Sequence, residues 1–154
     1  MSTVYRKRLS APEKVNGYYY SKNIFHQCGY GLPNCTCYAF GRWYELMGTK
    51  PKLYTGNAET WYPKGTAYDG YQRGQKPKLG AIACWAKGVA GNGSDGAGHV
   101  AIVEEIYSDG SFLTSNSGWK GPLFYKKKIG KSCKINGYTF QGFIYPPIEF
   151  VENV

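Results

Sequence analysis

A cysteine at the start of an amphipathic segment is the first residue in this chain with a clear capacity for chemistry. Cys35 opens the segment CTCYAFGRWYELMG, in which apolar and aromatic residues recur at helical spacing. A thiol at a helix N-terminus lies at the positive end of the helix dipole, which favours the thiolate that acts as a nucleophile. The backbone N–H groups of that first turn could also stabilise an oxyanion. The sequence therefore predicts Cys35 as a nucleophile.

A histidine and an asparagine further along the chain could complete such a site. His99 begins the apolar segment HVAIVEEI beside a glycine-rich stretch, where it could act as a base or be a structural histidine. Asn116 follows in TSNSGW, and its amide carbonyl could accept the imidazole N–H and fix the tautomer. A turn at Asp109-Gly110 would bring the two residues together. The unequal distances of His99 and Asn116 from that turn require a bulge or a slanted register.

The segments around these residues predict an α+β fold, with N-terminal helices packed on a C-terminal antiparallel sheet. A helix is expected over residues 35–47, with Gly48 as its C-terminal cap, and a short helical turn within 56–65, capped by Asn57. The Glu104 and Glu105 side chains are expected to be solvated or paired across a hairpin. Strands are expected over residues 80–85, 98–106, 111–119, 122–129 and 138–146, with a glycine-rich loop over 86–98.

Length and composition predict one basic domain. The chain has 154 residues, a net charge of +9 and five cysteines. The charge indicates a polyanionic partner, and the odd number of cysteines favours free thiols over a disulfide framework. No apolar run is long enough to span a membrane, and the basic N-terminus lacks the apolar core of a Sec signal peptide. Synthesis in a cytoplasm without such a signal is therefore expected.

Three segments resemble the signature blocks of CHAP domains, which are small papain-like cysteine amidases and peptidases that cut bacterial peptidoglycan. The segments are PNCTCYAFGRW, GHVAIVEEI and LTSNSGW, and the resemblance covers about residues 25–147. It implies a papain-like fold with Cys35 as nucleophile, His99 as base and Asn116 as the third catalytic residue. Many relatives have an acidic residue at the position of Asn116 and an asparagine at that of Gly118, so this third block departs from the family pattern.

The resemblance also implies a function and a place of action. We expect a phage or bacterial hydrolase that cleaves either the N-acetylmuramoyl–L-alanine amide or a peptide bond of the cell wall. Its partners would be peptidoglycan and anionic wall polymers, with no nucleic acid and no membrane, and it would act as a monomer or as part of a larger lysin. The catalytic domain is expected over residues 1–147, followed by a tail or linker from 148 to 154.

Two tryptophans are candidates for the substrate groove, and no cofactor is expected. Trp85 and Trp119 flank the blocks that should border the cleft, and Trp119 is also expected to shield the hydrogen bond between His99 and Asn116. Some CHAP relatives bind calcium through acidic residues just before the nucleophile. The corresponding segment here, SKNIFHQCGYGLPN, contains no acidic residue, so no metal site is expected.

Two other classes of function remain open at this point. The pattern H-x-C-x6-C-x-C formed by His26, Cys28, Cys35 and Cys37 offers four zinc ligands, which would make a zinc-stabilised structural module. The spacing within each pair is shorter than usual, and His99 would have no role in such a module. A basic, aromatic-rich chain could also bind nucleic acid, although no standard RNA-recognition motif is present.

Overall fold

In the computed structural model, which describes residues 2–87 and 97–153, helices precede a six-stranded antiparallel sheet. This is the predicted α+β arrangement. In chain order, the elements are β1 (Ser2–Val4), α1 (Ile24–Gln27), α2 (Cys35–Met47), α3 (Ala58–Lys64), α4 (Thr66–Asp69), β2 (Arg73–Gly74), β3 (Ile82–Ala86), β4 (His99–Ile106), β5 (Phe112–Asn116), β6 (Tyr125–Ile129), β7 (Thr139–Ile144) and β8 (Glu149–Val151).

Helix α2 begins and ends where the sequence predicts. The Asn34 side chain accepts a hydrogen bond from the Thr36 N–H, and Gly48 ends the helix in the left-handed conformation, at φ 72°. A Cβ atom at Gly41 would lie 2.5 Å from the Tyr19 ring, so only glycine allows the tyrosine segment to pack this closely on the helix. The first nine residues of α2 are all buried, which fixes the helix within the core.

The sheet has a hydrophobic cluster on each face, and its strand order is β2-β7-β3-β4-β5-β6. Successive side chains of β3 alternate between the two clusters, as the pleat of a strand requires. Ile82 and Cys84 belong to the cluster that includes helix α2. Ala83 and Trp85 belong to the cluster on the opposite face.

The hairpin of β4 and β5 contains a bulge, one of the two arrangements that the unequal distances of His99 and Asn116 from the turn allow. Ile102 pairs with Ser115 and Val103 with Thr114, but the next pair is Glu105 with Leu113. Glu104 is therefore the extra residue on β4. The turn closes at Gly110, whose φ of 90° suits glycine, and the Asp109 carboxylate accepts from the Ser111 N–H at 2.9 Å.

The C-terminal residues differ from the predicted tail. Strand β8 pairs in parallel with β1, and the Tyr5 N–H donates to the Val151 carbonyl at 2.8 Å. The Phe150 ring packs edge-on against Tyr5, with 5.1 Å between the ring centres. Periodicity could not reveal this pairing, because each strand has three residues and its partner lies at the far end of the chain.

Two other sequence expectations concern the glycine-rich loop and membrane-spanning segments. Most of the predicted glycine-rich loop, residues 88–96, lies outside the described residues. Among the helices of the described residues, none is long and apolar enough to cross a membrane.

Candidate active site

Cys35 and His99 line the same cleft, which has a volume of about 630 Å³. Cys35 stands at the first position of α2, and His99 is the first residue of β4. The helix N-terminus and the strand start are brought together because α2 packs on the sheet face that contains Val100 and Ile102. The fold therefore unites the two residues that the sequence predicts as nucleophile and base.

The environment of the Cys35 thiol favours the protonated form, contrary to the low pKa that its helix position predicts. Burial raises the pKa of this thiol to about 11, although backbone N–H groups of Val100, Cys35 and Thr36 act in the opposite direction. The side chain is only 6% exposed. Burial therefore opposes formation of the thiolate at this position.

Asn116 lies within hydrogen-bond reach of His99, as the hairpin geometry predicts. The Asn116 Oδ1 atom is 2.9 Å from His99 Nε2. The orientation of the amide is fixed because Asn116 Nδ2 donates to Thr114 Oγ1 at 3.0 Å and to the Tyr125 carbonyl at 3.3 Å. Oδ1 must then accept from an Nε2–H, which leaves the unprotonated Nδ1 as the basic nitrogen of the ring.

Two aromatic rings flank His99, and they are not the pair that the sequence predicts for the cleft. The Trp85 ring lies 6.0 Å from the imidazole on one side, and Tyr125 stacks at 6.5 Å with an interplanar angle of 17°. The Tyr125 hydroxyl is also 3.5 Å from His99 Nε2. Burial lowers the pKa of His99, and the charge of Lys127 acts in the same direction while the Asn116 hydrogen bond opposes it.

The two tryptophans that the sequence predicts for the groove differ in position, and only Trp119 lines the cleft. Trp85 is fully buried, and its indole N–H donates to the Cys133 carbonyl at 2.7 Å. Its ring packs beside His99 and does not line the cleft. Trp119 does line the cleft, but it is 59% exposed and its ring neighbour is Tyr30 rather than the imidazole. It therefore cannot be the shield of the contact between His99 and Asn116.

Tyr125 occupies the shielding position, and sequence analysis missed it. It pairs with Asn116 across strands β5 and β6, which places its ring beside the imidazole. The chain has 15 tyrosines, and Tyr125 lies in a lysine-rich edge strand that resembles ordinary solvated surface. Only the register between β5 and β6 distinguishes it from the other tyrosines.

A buried ion pair locks the helix of Cys35 to the strand of His99. Arg42 on α2 donates to both carboxylate oxygens of Glu104 on β4, at 3.0 and 2.9 Å. Glu104 is fully buried rather than solvated, and it accepts from Tyr5 at 2.9 Å and, across the hairpin, from Ser115 at 2.7 Å. Such a satisfied pair imposes one relative position on the two elements, although its net contribution to stability is small.

The zinc alternative does not fit the structure. Among the described residues, no three His, Cys, Asp or Glu side chains could hold one metal ion. His26 and Cys28 are exposed on and just after α1. Cys37 is fully buried, and its thiol points to the Tyr19 carbonyl at 3.6 Å. The four residues of the pattern therefore face different surroundings.

Comparison with known proteins agrees with this geometry. The family model described as the CHAP domain matches residues 25–118, more than half of the chain. An N-acetylmuramoyl-L-alanine amidase sle1 of Staphylococcus epidermidis is 38% identical over 103 residues, which are 67% of this chain and 29% of that protein. A probable autolysin SsaALP of Staphylococcus aureus is 31% identical over 116 residues, 75% of this chain and 40% of that protein.

A solved structure shows the same fold. The crystal structure of an N-acetylmuramoyl-L-alanine amidase from Staphylococcus aureus aligns with a TM-score of 0.55 and 29% identity, and covers 71% of this chain and 30% of that one. The chain thus spans less than half the length of these relatives. The matched segment nevertheless includes Cys35, His99 and Asn116, and the match establishes that the chain belongs to the CHAP domain family.

Proposed function

We propose that this domain is a cysteine-dependent peptidoglycan hydrolase that cleaves an amide bond of the bacterial cell wall. The observation that carries the proposal is the meeting of Cys35 and the His99–Asn116 pair in one open cleft. The names of its relatives, an amidase and a probable autolysin, support the same chemistry. In this proposal Cys35 is the nucleophile, His99 is the base, and Asn116 positions the imidazole.

The first half of the reaction forms a thioester. His99 Nδ1 takes the proton from the Cys35 thiol as the sulfur attacks the carbonyl carbon of the amide, because the thiol is mostly protonated before attack. The developing oxyanion lies at the N-terminus of α2, where the Cys35 backbone N–H can stabilise it. The imidazolium then gives its proton to the departing nitrogen, the C–N bond breaks, and an amine leaves.

The second half of the reaction releases the acyl group. A water molecule gives a proton to His99 as it attacks the thioester carbon, and the proton returns to the sulfur when the C–S bond breaks. The products are a carboxylic acid and the regenerated thiol. The Asn116 carbonyl keeps the Nε2 proton in place throughout, so that Nδ1 remains the nitrogen that exchanges protons.

The bond that we propose is the amide between N-acetylmuramic acid and L-alanine. This choice rests on the chain's resemblance to N-acetylmuramoyl-L-alanine amidases. The alternative is a peptide bond of the stem or cross-bridge. The net charge of +9 would hold the domain near anionic wall polymers, and we propose the cell wall as its place of action. Residues 25–147 would hold the catalytic core, with β8 completing the domain.

Hydrolysis of purified cell walls tests the proposal. Loss of turbidity is expected with the wild-type domain and not with Cys35→Ala or His99→Ala, while Asn116→Ala should retain partial turnover because the base is still present. Cys37→Ser is the matched control, since its sulfur lies on another side of the same helix. Equal loss in Cys35→Ser and Cys37→Ser variants that both fold would contradict the proposed nucleophile.

Mass spectrometry of the released fragments identifies the bond. Cleavage at the proposed amide creates a new N-terminal L-alanine and leaves the sugar with a free lactyl carboxylate. A new amino terminus elsewhere in the stem or cross-bridge would make the domain an endopeptidase while the roles of Cys35 and His99 stand.

A further inference from the structure

Two exposed aromatic rings lie beside the nucleophile, and the catalytic chemistry does not use them. Tyr30 is 58% exposed and Trp119 is 59% exposed, and both line the cleft together with Cys35. Their ring centres are 6.4 Å apart with an interplanar angle of 34°. This aromatic pair thus presents a continuous apolar surface at the active site, where large exposed aromatic rings commonly mark binding.

The aromatic pair is fixed relative to Cys35 by the residue that caps the catalytic helix. Asn34 Nδ2 donates to the Tyr30 carbonyl at 2.8 Å. The Asn34 N–H donates to Ser117 Oγ at 3.0 Å, two residues before Trp119. Both segments that carry the rings are therefore anchored next to the nucleophile, and a ligand on the pair would keep a defined distance from the sulfur.

The chemistry of the surface selects one part of the substrate. An N-acetylated pyranose ring has an apolar face of C–H groups. The partly positive hydrogen atoms of these groups are attracted to the negative face of an aromatic ring. The stem peptide begins with small and acidic residues, which offer little surface to two adjacent rings. The peptide side is better suited to the rest of the cleft, whose described lining has the cation Lys87 and no carboxylate.

We propose that Tyr30 and Trp119 form a subsite that binds an amino-sugar ring of the glycan strand next to the scissile amide. This inference rests on the proposed function, and it predicts that the domain recognises sugar as well as peptide. The Lys120 amino group lies 6.0 Å from the centre of the Trp119 ring. Since Lys120 is exposed, its amino group can bind a hydroxyl group of the sugar.

A binding experiment on the Cys35→Ala protein isolates this subsite from catalysis. The probe is a tetramer of β-1,4-linked N-acetylglucosamine, titrated in an NMR experiment that observes the tryptophan indole N–H signals. The indoles of Trp43, Trp61 and Trp85 donate to backbone carbonyls in the interior. The Trp119 indole has no acceptor among the described residues, and its signal is assigned by its loss in Trp119→Ala. We expect only this indole signal to shift with the sugar.

Affinity is then compared among variants in the same Cys35→Ala background. Trp119→Ala and Tyr30→Ala should each weaken binding of the tetramer by about tenfold, as expected for the loss of one stacking contact. Tyr68→Ala is the matched control, because Tyr68 is also exposed, at 54%, but does not line the cleft. Binding of a sugar-free stem peptide should be the same with and without Trp119.

The outcomes separate the two proposals. Absence of tetramer binding, or equal binding by the Trp119→Ala and Tyr68→Ala proteins, would overturn the sugar subsite. Weaker binding of the sugar-free stem peptide by the Trp119→Ala protein would also overturn the sugar subsite, and would show that the aromatic pair binds the peptide. Wall hydrolysis by the protein with Cys35 intact is measured in parallel. If hydrolysis is absent the proposed function fails, whereas hydrolysis without a sugar effect refutes the subsite alone.

Discussion

Alkylation of Cys35 as a function of pH tests whether the catalytic pair is neutral before substrate attack. Burial raises the pKa of the thiol from 9.0 to about 11, and burial lowers the pKa of His99. Both shifts oppose a thiolate–imidazolium ion pair. The rate of reaction with iodoacetamide should therefore rise about tenfold for each pH unit between 7 and 10, with no plateau, because only the thiolate reacts.

The absolute rate follows from the same shift. A rise of about two units in the pKa lowers the thiolate fraction at pH 7 about a hundredfold relative to an ordinary thiol, which corresponds to about 3 kcal/mol. The more basic thiolate is a better nucleophile, and this returns about a factor of ten. Cys35 should therefore react about ten times more slowly than a small free thiol at pH 7, before any effect of restricted access.

Mass spectrometry after short exposures to the reagent measures modification at each cysteine separately. Cys28 is exposed and reports on delivery of the reagent, while Cys37 and Cys84 are fully buried. His99→Ala is the control for the imidazole and should leave the slope unchanged. A plateau between pH 5 and 8 that disappears in His99→Ala would show a preformed ion pair and refute the reasoning from burial.

The remaining predictions concern three supporting residues and the dependence on metal. Tyr125→Ala should lower kcat about tenfold and shift the acidic limb of the pH–activity profile to higher pH, because water that reaches His99 raises the pKa of the imidazole. Tyr125→Phe keeps the ring and should resemble wild type. Arg42→Met leaves the Glu104 carboxylate buried without its partner and should lower the free energy of unfolding by about 3–5 kcal/mol, measured with urea. Lys7→Met breaks the more exposed ion pair with Glu105 and should change the free energy of unfolding by less than about 1 kcal/mol. Burial opposes ionisation of Glu45, but hydrogen bonds from Arg8 and Tyr19 lower the pKa of its carboxyl group to about 2. The ionised carboxylate therefore stabilises the fold by up to about 3 kcal/mol above pH 4.5, and this stabilisation is lost as the pH falls towards 2. A pH titration of unfolding should show this loss in wild type and not in Glu45→Gln. Wall hydrolysis should survive EDTA, because the segment before the nucleophile contains no acidic residue, and loss of activity that calcium or zinc restores would contradict this.

Local patterns predicted the parts of the site that depend on neighbouring residues. Helix α2 followed from apolar spacing and from the cap at Gly48, and the reach between His99 and Asn116 followed from one hairpin. The residue counts required either a bulge or a slanted register, and they could not place a bulge at Glu104, whose partner Arg42 lies on a distant helix. Burial of an acid cannot be read from a segment whose partner is unknown.

The missed features all depend on contacts between distant segments. Tyr125 shields His99 through the register of two strands, and Trp119 turns towards Tyr30 instead. The low pKa that we expected for the Cys35 thiol took only the helix N-terminus into account. Burial by the rest of the core outweighs the effect of the helix and raises this pKa. In each case the sequence shows the residue, but its role depends on side chains that are distant in sequence and close in space.

The parallel pairing of β1 and β8 gives this domain a defined response to mechanical load. The first strand is entered at Ser2 and the last is left at Val151, at opposite ends of the ladder. Tension applied through the two ends would slide the strands along each other, so their hydrogen bonds would be stretched together rather than opened one by one. Tyr5 follows β1 directly and binds Glu104, the carboxylate that joins the helix of Cys35 to the strand of His99. Pulling on the ends would thus put tension on the connection between the elements that carry Cys35 and His99, the proposed nucleophile and base.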